Sequence, residues 1–62
     1  MKADEIRELR DKLRLTQVEF AQRIGVSSIT ISRWERGANR PLPLGLLGLA
    51  KAKRQSEINK LD

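Results

Sequence analysis

Cysteine and histidine are both absent from this chain. Their absence excludes disulfides, thiolate nucleophiles, zinc sites built from those ligands and an imidazole general base. The lack of cysteine is compatible with a reducing compartment. Aromatic residues are almost missing as well, with Phe20 and Trp34 standing alone. So little ring surface argues against modules that stack single-stranded bases on aromatic platforms. Long apolar runs are missing too. The longest, Leu42 to Ala50, contains Pro43 and falls far short of the roughly 20 residues a membrane-spanning helix needs. The opening residues Met1 to Arg7 contain no apolar core of a signal peptide, so a cytoplasmic location is expected. No strand alternation, repeat or low-complexity segment is present.

What the chain does have is positive charge. Thirteen Lys and Arg face eight Asp and Glu, for a net charge of +5, which suits a polyanionic partner. The excess is uneven. Between Arg33 and Arg54 the charged residues are Arg33, Glu35, Arg36, Arg40, Lys51, Lys53 and Arg54, whereas the first twelve residues are nearly balanced. The content of 39% hydrophobic and 34% charged residues fits a folded chain, not a disordered tail. One domain, residues 1–62, is expected. A chain of this size buries only about 60% of its unfolded surface, so its core must be economical.

Periodicity predicts an all-α bundle of four helices, or five if the last breaks near Ser56. In the first, Ala3 to Leu13, Ile6, Leu9 and Leu13 form one stripe. Asp4 and Glu5 complement the dipole at its start, and Lys12 and Arg14 at its end. Thr16-Gln17-Val18-Glu19 has the capping-box pattern. Leu15 before the cap and Phe20 four residues after it form a hydrophobic staple. The second helix, Thr16 to Ile24, then presents Phe20, Ala21 and Ile24. Gly25 supplies a left-handed turn, and Ser27 caps a third helix over Ser28 to Arg36, ended by Gly37. Pro43 opens a last helix over about 43–61.

The segment Thr16 to Gly37 meets the needs of a helix-turn-helix: a short turn at Gly25 and a small residue, Ala21, where the helices cross. Ile31 and Trp34 anchor the third helix inward, and Trp34 is read as core. Ser28, Ile29, Ser32 and Arg33 are left facing outward, with Thr30 toward the edge. Lys2, Arg7, Lys12 and Arg23 are read as solvated charges.

Leu15-Thr16-Gln17, Phe20-Ala21, Ile24-Gly25-Val26-Ser27, Ile31-Ser32, Trp34-Glu35-Arg36-Gly37 and Arg40-Pro41 together resemble the lambda-repressor-like, Cro-type helix-turn-helix family, also called the XRE family. The resemblance runs from about Ile6 to Leu49. It implies a compact bundle whose second and third helices read double-stranded DNA in the major groove, with no cofactor. By position it implies base reading by Ser28, Ile29, Ser32 and Arg33. It implies phosphate contacts by Gln17, Ser27, Thr30, Arg36, Asn39 and Arg40. Gln17 would also brace the reading helix, and Arg10 with Glu35 resembles an ion pair between the first and third helices. The alternative is that both charges stand in water.

Side-chain chemistry supports most of these roles. Arg33 can bind guanine O6 and N7 with two hydrogen bonds, and Ile29 can pack on a thymine methyl. Ser28 can bond several bases and so discriminates weakly. Many family members place Gln or Arg at the positions of Ser28 and Ile29. The short side chains here imply more water-mediated and shape-based reading. The family also has a separate fifth helix where this chain can run one continuous helix from Leu44 to Leu61.

The expected function is a small transcriptional regulator, a repressor that occupies a palindromic operator as a homodimer joined through the C-terminal helix. In that expectation Leu44 and Leu47 pack against the bundle. Leu46 and Leu49 stay partly exposed for the partner copy, and Gly45 and Gly48 allow its backbone to approach. The competing arrangement packs both leucine pairs internally. The alternative function is a DNA-binding antitoxin or interaction subunit that neutralises a protein partner. Enzymatic activity has little support, because Glu5 and Glu8 are interleaved with Arg7 and Arg10 on an exposed helix side.

Overall fold

The structure is a computed structural model, described here over residues 1–59. Four helices follow one another: α1 (Ala3–Lys12), α2 (Gln17–Ile24), α3 (Ser28–Glu35) and α4 (Pro43–Asn59). No strand occurs among the described residues. Helix α2 packs against α3 and α4, and α1 packs against α3 and α4. The core is Ile6, Leu9, Phe20, Ala21, Ile31, Trp34, Leu49 and Ala52, with Leu13, Leu15, Ile24 and Val26 half-buried around it. None of the described helices is long and apolar enough to cross a membrane.

Local chemistry sets both ends of α1, α2 and α3, and the start of α4, within a residue of the sequence expectation. The Glu5 carboxylate accepts from the Lys2 N–H at 3.1 Å and starts α1. At α2 the capping box is complete. Thr16 Oγ1 accepts from the Glu19 N–H at 3.1 Å, and Glu19 accepts from the Thr16 N–H at 2.9 Å. Those bonds hold the Glu19 carboxyl below its ordinary value. Gly25 closes α2 with φ 92°, and the Ala21 carbonyl accepts from both Gly25 and Val26. Helices α1 and α3 close alike. Leu15 N–H bonds the Arg10 carbonyl and Arg14 N–H that of Asp11; Ala38 N–H bonds the Arg33 carbonyl and Gly37 N–H that of Trp34. This double closure needs a left-handed residue. Gly37 supplies it in α3, but Arg14 supplies it in α1, with φ 57°. The sequence gives no sign of that, because an arginine rarely takes the conformation.

Helix α4 differs most from expectation. It is one unbroken helix through Ser56, whose hydroxyl donates to the Lys53 carbonyl at 2.8 Å. Its expected end at Leu61 lies outside the described residues. Its buried face is Gly45, Leu49, Ala52 and Ser56, with Gly48 half-buried beside them. The assignment is therefore reversed for Leu44, Leu47 and Leu49, while Leu46 is partly exposed as expected. Leu49 is fully buried, Leu46 lies at the margin, and Leu44 and Leu47 point outward, 82% and 61% exposed. The reason is the closeness of the helices. A Cβ on Gly45 would lie 2.8 Å from Trp34 Cη2, and one on Gly48 would lie 2.7 Å from Ile24 Cγ2 and 3.1 Å from the Ile24 carbonyl oxygen. Positions 45 and 48 cannot hold a side chain, so the helix turns Gly45 and Gly48 inward with Leu49, and Leu44 and Leu47 fall on the outer side. The two glycines serve the chain's own packing, not the approach of a second backbone.

Gly48→Ala should therefore destabilise the fold. Its gain in helix propensity, about 1 kcal/mol, is outweighed by an overpacking cost of about 1–3 kcal/mol. The cost falls at the high end because Ile24 is β-branched and its backbone cannot yield. Urea denaturation checks this, and a rise in stability would contradict the close approach of α2 and α4.

Candidate nucleic-acid interface

The orientation of α3 determines which side chains face the surroundings. Ile31 is wholly buried, and Trp34 and Glu35 are each 5% exposed. At about 100° per residue these three define one side of the helix. On the opposite side Ile29 and Arg33 fall one turn apart, and Arg36, which caps the helix in near-helical geometry, continues their line. All three are exposed.

The buried charge in α3 is the centre of a polar cluster. Arg10 Nε donates to Glu35 Oε2 at 2.6 Å, and its Nη2 donates to Oε1 at 3.1 Å. The Arg10 Nη1 donates to the Leu15 carbonyl at 3.0 Å, reaching the α1–α2 loop. Gln17 Nε2, on α2, donates to Glu35 Oε1 at 3.2 Å. Arg7 Nη2 donates to the Glu35 backbone carbonyl at 3.3 Å. One carboxylate thus ties α1, α2 and α3 together. Burial alone would push the Glu35 pKa up, but the hydrogen bonds from Arg10 and Gln17 and the charges of Arg10 and Arg7 outweigh it and hold the carboxyl below its ordinary value. The Arg10 guanidinium is held correspondingly more basic by its hydrogen bond to Glu35. Of the two possibilities open for Arg10 and Glu35, the ion pair is the one that forms.

The expected site residues are spread over the outward strip and edges of α3, the loop after it and α2. Ile29 and Arg33 share the outward strip of α3 with Arg36, as periodicity requires. Ser28 and Ser32 lie half-buried on one edge of it, less prominent than expected. Thr30 lies half-buried on the other edge, and its hydroxyl is 2.9 Å from that of Ser27, which also accepts the Thr30 N–H. The Ser27 hydroxyl thus caps α3, and the Thr30 hydroxyl is paired with it. Asn39 and Arg40 are exposed on the loop after it. Gln17 is half-buried, and its amide braces Glu35. A primary amide has two N–H donors, so one remains for another acceptor. The residue missed in the sequence is Arg7, read as a solvated charge, whose guanidinium holds the end of α3. Its spacing of three from Arg10 beside the Ile6–Leu9 stripe is the signal that marks it.

Electrostatics sharpen the picture. The one carboxylate between Arg33 and Arg54 is Glu35, and it is buried and paired. Every other charge in that segment is an exposed cation: Arg33, Arg36, Arg40, Lys51, Lys53 and Arg54.

Two short helices joined at a left-handed glycine, the second held inward by its own apolar and acidic residues, define a helix-turn-helix unit. The chain belongs to the helix-turn-helix family, whose model matches residues 6–52. It is 41% identical over 49 residues to repressor protein C2 of Salmonella phage P22, a match covering 79% of this chain and 23% of that protein. It is 49% identical over 39 residues to the type II methyltransferase M.SsoII of Shigella sonnei, covering 58% of this chain and 10% of the enzyme. The chain thus spans less than a quarter of each curated relative. The fold matches a crystal structure of the P22 c2 repressor in complex with synthetic operator 9T in the presence of Tl+, with a TM-score of 0.79 and 38% identity. That match covers 84% of this chain and 79% of that one.

Removing Arg10 leaves a buried, uncompensated carboxylate, so Arg10→Ala should cost about 3 kcal/mol at neutral pH. The stability from ionised Glu35 is fully present above the unfolded value of 4.5 and is lost as pH falls through its lower folded value. The gap between wild type and Arg10→Ala should therefore narrow below pH 4.5. Thermal unfolding across pH measures it, and a gap that stays constant into acid contradicts the pairing.

Proposed function

We propose that this chain binds double-stranded DNA sequence-specifically, with α3 in the major groove, and acts as a small transcriptional regulator that represses by occupying its operator. The observation that carries this reading is the outward strip of Ile29, Arg33 and Arg36 on a helix whose other side is locked into the core. The uniformly cationic surface from Arg33 to Arg54 and the likeness to an operator-bound repressor support it. Arg33, with Ile29 beside it, sets sequence preference, and Ser28 and Ser32 add contacts from the edge, directly or through water. Arg36, Asn39, Arg40 and the remaining amide donor of Gln17 set register on the phosphates. Ser27 and Thr30 contribute there only by sharing hydroxyls already engaged, Ser27 in capping α3 and Thr30 in pairing with Ser27.

Arg33→Ala should cost about 1–3 kcal/mol on the preferred site and relax preference at one base pair. Arg40→Ala should weaken all sequences alike and lower the salt slope by about one unit. Binding titrations on a site selected from random duplex, and on unrelated duplex, measure both. Equal losses on the two duplexes for Arg33→Ala would remove its base-reading role.

The reading extends to a homodimer through α4, with the apolar face revised to the residues that project. Leu44 and Leu47 are 82% and 61% exposed on the side of α4 turned away from the core, and Leu42, just before the helix, is 76% exposed. A dimer with two-fold symmetry would place two reading helices about 34–36 Å apart and select a palindromic site. Sedimentation equilibrium at micromolar concentration should show a dimer that Leu47→Glu dissociates; a strict monomer with and without DNA would remove the dimer.

A further inference from the structure

The outward strip of α3 carries an apolar side chain where water favours a polar one. Ile29 is 61% exposed, and it lies in the first turn of α3, the end of a reading helix that meets base edges. Its neighbours leave it prominent. The Ser27 and Thr30 hydroxyls are turned toward each other, and Ser28 and Ser32 are half-buried at the edge. The next large side chain on the same line is Arg33, one turn further along.

A base edge in the major groove offers one apolar group large enough to pack against, the C5 methyl of a pyrimidine; unmethylated cytosine has only a hydrogen there, and the other groups of the edge are donors and acceptors. An isoleucine set against donors and acceptors would desolvate them without replacing their hydrogen bonds. Thymine carries the C5 methyl by nature, and cytosine carries it once methylated there. The guanidinium beside Ile29 suits guanine O6 and N7. Resting on the DNA-reading role above, we propose that Ile29 and Arg33 act as one unit that reads a C5-methylated pyrimidine next to a guanine. The unit accepts 5-methylcytosine as it accepts thymine and discriminates both from their unmethylated counterparts. Base methylation at such a step then raises occupancy of a cytosine-containing site.

The test uses a duplex site selected from a random pool. At each pyrimidine beside a guanine, four forms are compared: thymine or uracil opposite adenine, and 5-methylcytosine or cytosine opposite guanine. Affinities are measured for wild type, Ile29→Ala and Ile29→Val; Ile29 is exposed, so both variants keep the fold. At one position the methyl should tighten wild-type binding about fourfold in both base-pair contexts, the worth of burying one methyl-sized group. Ile29→Ala should abolish the difference and Ile29→Val should retain most of it. Sequence-specific binding that ignores the methyl at every position, or a methyl effect that survives in Ile29→Ala, overturns this inference and leaves the DNA-reading role standing. A chain that binds all duplexes alike overturns the role itself.

Discussion

The bidentate pair of Arg10 with Glu35 is the constraint on which the rest of the structure depends. Glu35 is a carboxylate on a helix of eight residues, nearly all of its surface removed from water. Such a charge persists in the ionised form only because Arg10 and Gln17 meet both of its oxygens. The net gain in stability from a buried pair is small, since desolvation offsets most of the attraction, but breaking it is expensive. Its effect is therefore geometric. With the carboxylate fixed between α1 and α2, and Ile31 and Trp34 fixed in the core, α3 cannot rotate about its axis. Ile29, Arg33 and Arg36 must then face outward.

The same economy governs α4. In a chain this short each helix must serve more than one purpose. Glycines at positions 45 and 48 bring α4 close enough to Trp34 and Ile24 for one leucine, Leu49, to complete the core. The cost is a weaker helix locally and leucines left outside. Charge is divided along the chain in a related way. Exposed carboxylates gather on α1, at Asp4, Glu5, Glu8 and Asp11, while between Arg33 and Arg54 every exposed charge is a cation. A polyanion is attracted to one part of the surface and repelled from another, which orients an encounter before any specific contact forms.

Much of this was legible in the sequence because it is local. The Thr16–Glu19 box, the Leu15–Phe20 staple, Gly25 as a left-handed turn and the inward pair Ile31 and Trp34 all follow from spacing and stereochemistry within a few residues. The outward placement of Ile29 and Arg33 follows from the same periodicity. What was not legible depends on contacts between distant elements. Leucines occur on every side of α4, so periodicity alone could not select its buried face; the proximity of Trp34 and Ile24 did. Arg7 resembles any surface arginine until the end of α3 is brought against it. Arg14 in a left-handed conformation contradicts its intrinsic preference and is imposed by the need to turn Leu15 into the core. The half-burial of Ser28 and Ser32 likewise reflects how α3 is rotated by Glu35, which no local pattern encodes.

The central claim is that burial of Ile31, Trp34 and Glu35 turns one defined strip of α3 toward DNA. Backbone and methyl chemical-shift mapping, during titration with a duplex selected from a random pool, tests it most directly. The account predicts the largest changes at Ile29, Ser32, Arg33 and Arg36, smaller ones at Gln17, Asn39 and Arg40, and none on the acidic side of α1. Changes centred on α4 or α1, with the α3 strip unaffected, would contradict it.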